Sequence, residues 1–322
     1  MKEFISQKRG RVICTIVMVC IFSLAGVADF CKCFGQGNSL NREREVWIEE
    51  TTGMKFVHIA EGCFFMGSPR SEEGRDSDEG PVHEVCVSDF WIGMTEVSVK
   101  EFEVFVKSTG YKTDAEKEGY SWVYTGKWEK KKGFDWKHPG YEQDGNHPVV
   151  NVSWNDAKRM ASWLTAKTGK VFRLPTEAEW EYACRGGTGT SRFWGDMIDG
   201  VCAYANVADK SARKRFPAWC IHECDDGFVF TSRCASFKPN PFGIYDMLGN
   251  VWEWCEDNYL VDAYWKHAKY NPLIRKKDVT EIVIRGGSWY SRPRYVRCAS
   301  RDHLHNSRRR GNDVGFRLVM KP

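Results

Sequence analysis

The chain has 322 residues, 42% hydrophobic and 28% charged, with a formal net charge of +4. That balance belongs to a water-soluble globular protein and excludes both an intrinsically disordered chain and a polytopic membrane protein. Thirteen cysteines are many for a reducing compartment, and fourteen tryptophans against nine methionines suit an aromatic, loop-rich core.

At the N-terminus, Lys8, Arg9 and Arg11 precede an apolar run over residues 12–28. This pattern reads as an export signal, residues 1–28, with Gly26-Val27-Ala28 as the small-residue cleavage site. An uncleaved anchor is the alternative, and it would be the chain's only link to a membrane. Cleavage removes Cys14 and Cys20 and leaves a net charge of about +1. A nucleic-acid partner then has no electrostatic basis. The expected location is outside the cytoplasm, periplasmic or secreted.

Residues 29–50 are polar and charged and read as a linker. Residues 51–322 show no long linker, repeat or heptad pattern, so one domain is expected. Short strands are expected at 62–66, 82–87 and 90–92, and again at 282–284 and 316–319. Ser98-Val-Lys-Glu101 is a capping box that opens a helix, with Phe102, Phe105 and Val106 on one face and Gly110 as its stop. Residues 127–137 are lysine-rich and read as an exposed hairpin or loop. Ser153-Trp-Asn-Asp156 opens a second helix, with Ala157, Met160, Ala161 and Leu164 at helical spacing. Pro175-Thr-Glu-Ala-Glu179 opens a third, ending at Gly186-Gly187. Residues 186–241 have no sustained period, and a segment this long needs disulfides or metal to stay ordered.

Cys63 and Cys86 lie on two candidate neighbouring strands and are placed to pair. Cys202, Cys220, Cys224 and Cys234 fall in the irregular segment and suit two bridges in any of three connectivities. Cys255 is the odd one out and reads as a buried free thiol. Cys220-Ile-His222-Glu-Cys224 lacks the second ligand pair of a zinc site.

Seven strings, in order, resemble the formylglycine-generating enzyme family, also called sulfatase-modifying factors. They are Phe65-Met-Gly-Ser68, Pro81-Val-His-Glu-Val85, Pro148-Val-Val-Asn-Val-Ser-Trp154, Arg173-Leu-Pro-Thr-Glu-Ala-Glu-Trp-Glu-Tyr-Ala183, Gly243-Ile-Tyr-Asp-Met-Leu-Gly-Asn-Val-Trp-Glu-Trp254, Arg285-Gly-Gly-Ser-Trp289 and Gly315-Phe-Arg-Leu318. The resemblance implies an α+β fold, a compact C-type-lectin-like variant with little regular secondary structure and long ordered loops. It also implies a Cys184–Cys298 disulfide and two structural Ca²⁺ ions. For the first ion it points to Asn206, the Val207 carbonyl, Asp226 and the Phe228 carbonyl. For the second it points to Asp246, the Gly249 and Val251 carbonyls, and Glu253. Carboxylates and carbonyls are the hard oxygen donors that calcium takes.

The family's oxidases bind copper through two cysteines shortly after Gly-Gly-Ser. Here the motif serine is present as Ser288, Ser291 stands at the first cysteine position, and the second has no counterpart in the shortened segment. A hydroxyl does not replace a thiolate on Cu(I), so copper is not expected. Nine arginines fall between residues 285 and 317. Arg285, Arg301 and Arg317 are expected to pair with acids of the Trp-Glu-Trp and Glu-Ala-Glu motifs. Trp289, Arg292, Arg294 and Arg308 are expected at a ligand-facing rim, since guanidinium forks suit anions. The resulting expectation is an exported, calcium-stabilised binding, scaffold or accessory domain for a protein, peptide or anionic small molecule. The alternative is an enzyme, either a noncanonical modifier of sulfatase cysteines or another extracytoplasmic oxidase, with Ser288 and Ser291 at its degenerate centre.

Overall fold

The computed structural model describes residues 45–322. The segment read as an export signal, with Cys14 and Cys20, lies outside the described residues, as do Cys31 and Cys33. The chain opens with β1 (Val46–Ile48), β2 (Lys55–Ile59), β3 (Gly62–Met66), β4 (His83–Val87) and β5 (Phe90–Gly93). Helices α1 (Val99–Thr109) and α2 (Asp114–Glu118) follow, then β6 (Tyr120–Tyr124), β7 (Trp128–Lys132) and α3 (Trp154–Thr168). Next come β8 (Phe172–Arg173), α4 (Glu177–Arg185), α5 (Lys210–Arg215) and β9 (Trp252–Asn258). The chain ends with β10 (Ile282–Arg285), β11 (Arg301–Leu304), β12 (Val314–Gly315) and β13 (Val319–Met320). This is an α+β fold with short strands and long ordered loops.

Three helices start where local chemistry places them. Ser98, Ser153 and Thr176 each accept the N–H three residues on, while Glu101, Asp156 and Glu179 reach back to the cap's own N–H. Left-handed glycines at 110, 169 and 186 close α1, α3 and α4. α2, bracketed by Thr113 and Gly119 in the same way, was not expected. The lysine-rich stretch supplies β7 of the β6–β7 hairpin.

One sheet has the order β1-β2-β5-β13-β8; another has β11-β10-β9-β12, with β12 parallel to β9. β9 is buried along nearly its whole length. α4 packs Trp180 and Cys184 into one core cluster with Met66, Val85 and Val283. α1 and α3 pack Phe102, Met160 and Leu164 into a second with Trp254 and Phe316.

Two expectations need correction. The domain begins before Thr51, because β1 pairs with β2 through Val46, Trp47 and Ile48. Of the expected strand at 316–319 only Val319 is in a strand, β13, and the residues before it lead from β12, which serves a different sheet. Residues 316–318 cross between them as fully buried chain, and apolar content alone does not distinguish that crossing from a strand.

Candidate functional site

β10 delivers Arg285 to the turn Gly286-Gly287-Ser288. Gly287 has φ +79°, and a Cβ there would come within 3.0 Å of the Ser291 hydroxyl. Ser291 Oγ accepts the Ser288 N–H at 2.8 Å, and Ser288 Oγ accepts the Tyr290 N–H at 3.4 Å. Both serines are buried. Their hydroxyls close the turn, and the segment offers a copper ion no thiolate pair. Cys298 faces Cys184 instead, with the two sulfurs 2.7 Å apart as buried thiols. Burial, reinforced by Cys298, pushes the Cys184 thiol well up.

Trp289, expected at the rim, is fully buried. Its ring packs against Trp219, Phe230 and Tyr141, and its indole N–H donates to the Asn312 carbonyl. Arg292 and Arg294 line a cleft of about 920 Å³ together with Arg192, Glu72, Glu73 and Cys220. Arg294 also pairs with Asp76. Arg308 is not brought to that cleft; it is exposed and pairs with Glu118 at 3.5 Å.

The three arginines expected to be structural are so. Arg285 spans Glu177 at 3.0 Å and Glu181 at 2.5 Å. Arg301 forks onto Glu177, and Arg317 onto Glu253. Arg297, not singled out beforehand, forks onto buried Glu79 and also reaches Glu72.

The first expected calcium site folds into one place. Asn206 and Asp226 meet through the Val207 N–H, which Asp226 accepts at 2.8 Å. The Asn206 amide nitrogen donates to the Phe230 carbonyl and to Asn250, while its Oδ1 is buried without a hydrogen-bond partner. Burial pushes Asp226 up to about 8, with Asp209 adding repulsion against two backbone N–H donors. An orphaned amide oxygen beside a crowded carboxylate is a donor set that fits a hard cation.

The second expected site is tied to the first, because Gly249 (φ +82°) packs so close to the Asn206 carbonyl that any Cβ would collide with it. Asp246 accepts the Ala235 N–H with Oδ2, and its Oδ1 is a buried orphan. Glu253 gives its oxygens to Arg317 and the Trp180 indole. Glu96, which no motif marked, has the other orphaned oxygen. Burial and then Asp246 push Glu96 well up; burial also raises Asp246, to about 6. Asp246 with Glu96 thus fits a cation, whereas the Glu253 carboxylate is already committed.

Cys63–Cys86 and Cys202–Cys224 form disulfides. These bridges mark an oxidising compartment. Among the described residues no helix is long and apolar enough to cross a membrane. The irregular segment carries one bridge rather than the expected two. Cys220 is exposed in the large cleft, whereas Cys234 lies near the Glu96 carbonyl. Cys255 is a buried free thiol, as expected. A thiol-alkylating reagent is therefore expected to modify Cys220 first among the described cysteines. Mass spectrometry of native protein and of Cys220→Ser checks this; rapid labelling of Cys255 would refute it.

Residues 44–322 match the family described as sulfatase-modifying factor enzyme 1-like domain. The chain is 36% identical over 296 residues to the formylglycine-generating enzyme of Mus musculus, covering 82% of this chain and 74% of that protein. It is 33% identical over 270 residues to a Bos taurus protein named inactive C-alpha-formylglycine-generating enzyme 2, covering 76% and 79%. Among solved structures, PvdO from Pseudomonas aeruginosa superposes with a TM-score of 0.73 at 29% identity, covering 86% of this chain and 98% of that one.

Proposed function

Because this chain belongs to the sulfatase-modifying factor family, we propose that it is an exported, calcium-stabilised binding or accessory domain that does not carry out copper-dependent cysteine oxidation. The observation that carries this reading is Ser291. It stands at the first cysteine position, and its hydroxyl holds the Ser288 N–H at 2.8 Å inside the turn. A buried hydroxyl used as a turn acceptor is a poor Cu(I) donor, because copper(I) selects soft thiolates. Cys298 is directed at Cys184 and is not free to complete a copper pair. The 2.7 Å separation supports a reading in which these two sulfurs bond when the protein is oxidised. A relative that is itself named inactive shows that family membership and activity part company elsewhere.

The exposed cleft at Arg292 and Arg294 then serves recognition. Glu72 and Glu73 line it together with the arginines, a mixed-charge surface suited to a peptide or an anionic group. Incubating the oxidised, calcium-supplied protein with copper, O₂ and a Cys-x-Pro-x-Arg peptide is expected to leave the peptide mass unchanged. Conversion of the cysteine to formylglycine would overturn the reading. Ser291→Cys alone is expected not to restore conversion, since the second thiolate is still missing.

A further inference from the structure

A separate cavity of about 180 Å³ opens between the β6–β7 hairpin and the 309–314 segment. Trp122, Trp128 and Tyr290 contribute its aromatic walls. Four charged side chains face it: Asp302, Arg309, Arg310 and Asp313. Two are held by protein partners, the Arg310 Nε alone staying buried without one. Arg310 donates to Glu118, to the Tyr120 carbonyl and to the Arg308 carbonyl, at 2.7–2.8 Å. Asp302 accepts the His303 N–H at 2.7 Å.

The other two are not. Asp313 is 5% exposed, and its carboxylate makes no hydrogen bond or ion pair to another residue among the described residues. Burial pushes it up to about 7, against its own backbone N–H and the attraction of Arg309. Arg309 is half-buried and lies flat on Trp122, 3.7 Å from the ring centroid, with no ion pair. A buried carboxylate normally has a partner, because an unpaired one is costly to desolvate. Here an anion and a cation that attract each other form no ion pair, and both line one small cavity. A ligand that carries both charges completes both groups at once.

We propose that this cavity binds a small zwitterion, the head group of an α-amino acid, with Asp313 receiving its ammonium and Arg309 its carboxylate. Trp128 and Tyr290 then present aromatic faces to the ammonium and to an apolar side chain. The volume is too small for a folded partner or a drug-sized ligand. This proposal rests on reading the domain as a binder and gives its ligand a chemical class.

The test uses L-phenylalanine as the probe, with phenethylamine and 3-phenylpropionate as its single-charge counterparts. Binding to the oxidised full-length protein is followed by calorimetry and by tryptophan fluorescence, which Trp122 and Trp128 report. Phenylalanine is expected to bind saturably, and each single-charge compound about tenfold more weakly or worse. Asp313→Asn and Arg309→Gln are each expected to weaken phenylalanine by a similar factor while the melting temperature stays near that of the parent. Three results would overturn the proposal: no saturable phenylalanine binding at millimolar concentration, equal binding of the amine alone, or undiminished binding to folded Asp313→Asn. Conversion of the cysteine peptide would instead overturn the binding-domain reading. Absent phenylalanine binding with an inert peptide would sink this proposal alone.

Discussion

Replacing Arg285 with methionine is expected to destabilise the domain by about 3–5 kcal/mol, the cost of removing one partner from a buried ion pair. Arg285 has no exposed surface. It holds Glu177 and Glu181 of α4, donates to the Cys298 carbonyl at 2.7 Å, and lies over the Trp180 ring. One guanidinium therefore ties α4 to the end of β10 and to the segment that follows the serine turn. Glu177 retains Arg301 in the variant, and Glu181 retains Arg185. Each carboxylate nevertheless loses one of its two arginine partners in a fully buried site. A contrasting control is Arg233→Ala, whose ion pair with Asp144 is exposed; such a pair contributes less than about 1 kcal/mol.

The same arginine sets the acid limit. Burial alone would raise Glu177, but Arg301 and Arg285 outweigh it and hold it below the usual carboxylate range. Glu181 is held low against burial by Arg185 and Arg285. A depressed folded-state pKa adds stability that is fully present above the unfolded value, about 4.3, and is lost as pH falls through the folded value. Without Arg285 both folded values move up, so the two carboxylates contribute less and that contribution is exhausted at a higher pH. Urea melts of parent and variant across the acidic range measure this. A variant that unfolds at the parent's pH and urea concentration would show that the network contributes little.

The legible parts of this fold are those written locally. The capping boxes at Ser98, Ser153 and Thr176 need only residues three apart, so they were visible in the sequence. Arg285, Arg301 and Arg317 were assignable because their acids sit in recognisable strings. Trp289 was misplaced because its covering rings, Tyr141, Trp219 and Phe230, come from distant loops. Glu96 was missed for a similar reason: it lies just before a helix cap, and only the folded chain brings it to Asp246. The Arg309 and Asp313 cavity is likewise invisible in sequence. Arginine is common in that stretch, and what distinguishes this pair is that neither side chain forms an ion pair among the described residues.

Calcium is expected to raise the melting temperature of chelator-treated protein by roughly 5–10 °C. At about 100-fold excess over the dissociation constant, one site adds about 2.7 kcal/mol, and a domain of this size shifts roughly 2–4 °C per kcal/mol. The physical case rests on Asn206 Oδ1, buried without a partner in one place, and on the crowded buried carboxylates Asp246 and Glu96 in the other, where Asp246 Oδ1 and Glu96 Oε2 have only each other. A bound divalent cation offsets the repulsion between Asp226 and Asp209 and that between Glu96 and Asp246. Such an ion would thereby anchor the loops that carry Asn206 and Gly249, which hold the serine turn through the Gly249 N–H to the Gly286 carbonyl. The informative quantity is the calcium-dependent increment, because Asp226 also accepts the Val207 and Phe228 N–H groups and its loss weakens the fold by itself. Asp226→Asn and Asp246→Asn are each expected to remove part of the increment, and the double variant all of it. Glu253→Gln is expected to lower stability through Arg317 while leaving an increment in place. Equal melting temperatures of the parent in calcium and in chelator would refute the calcium assignment.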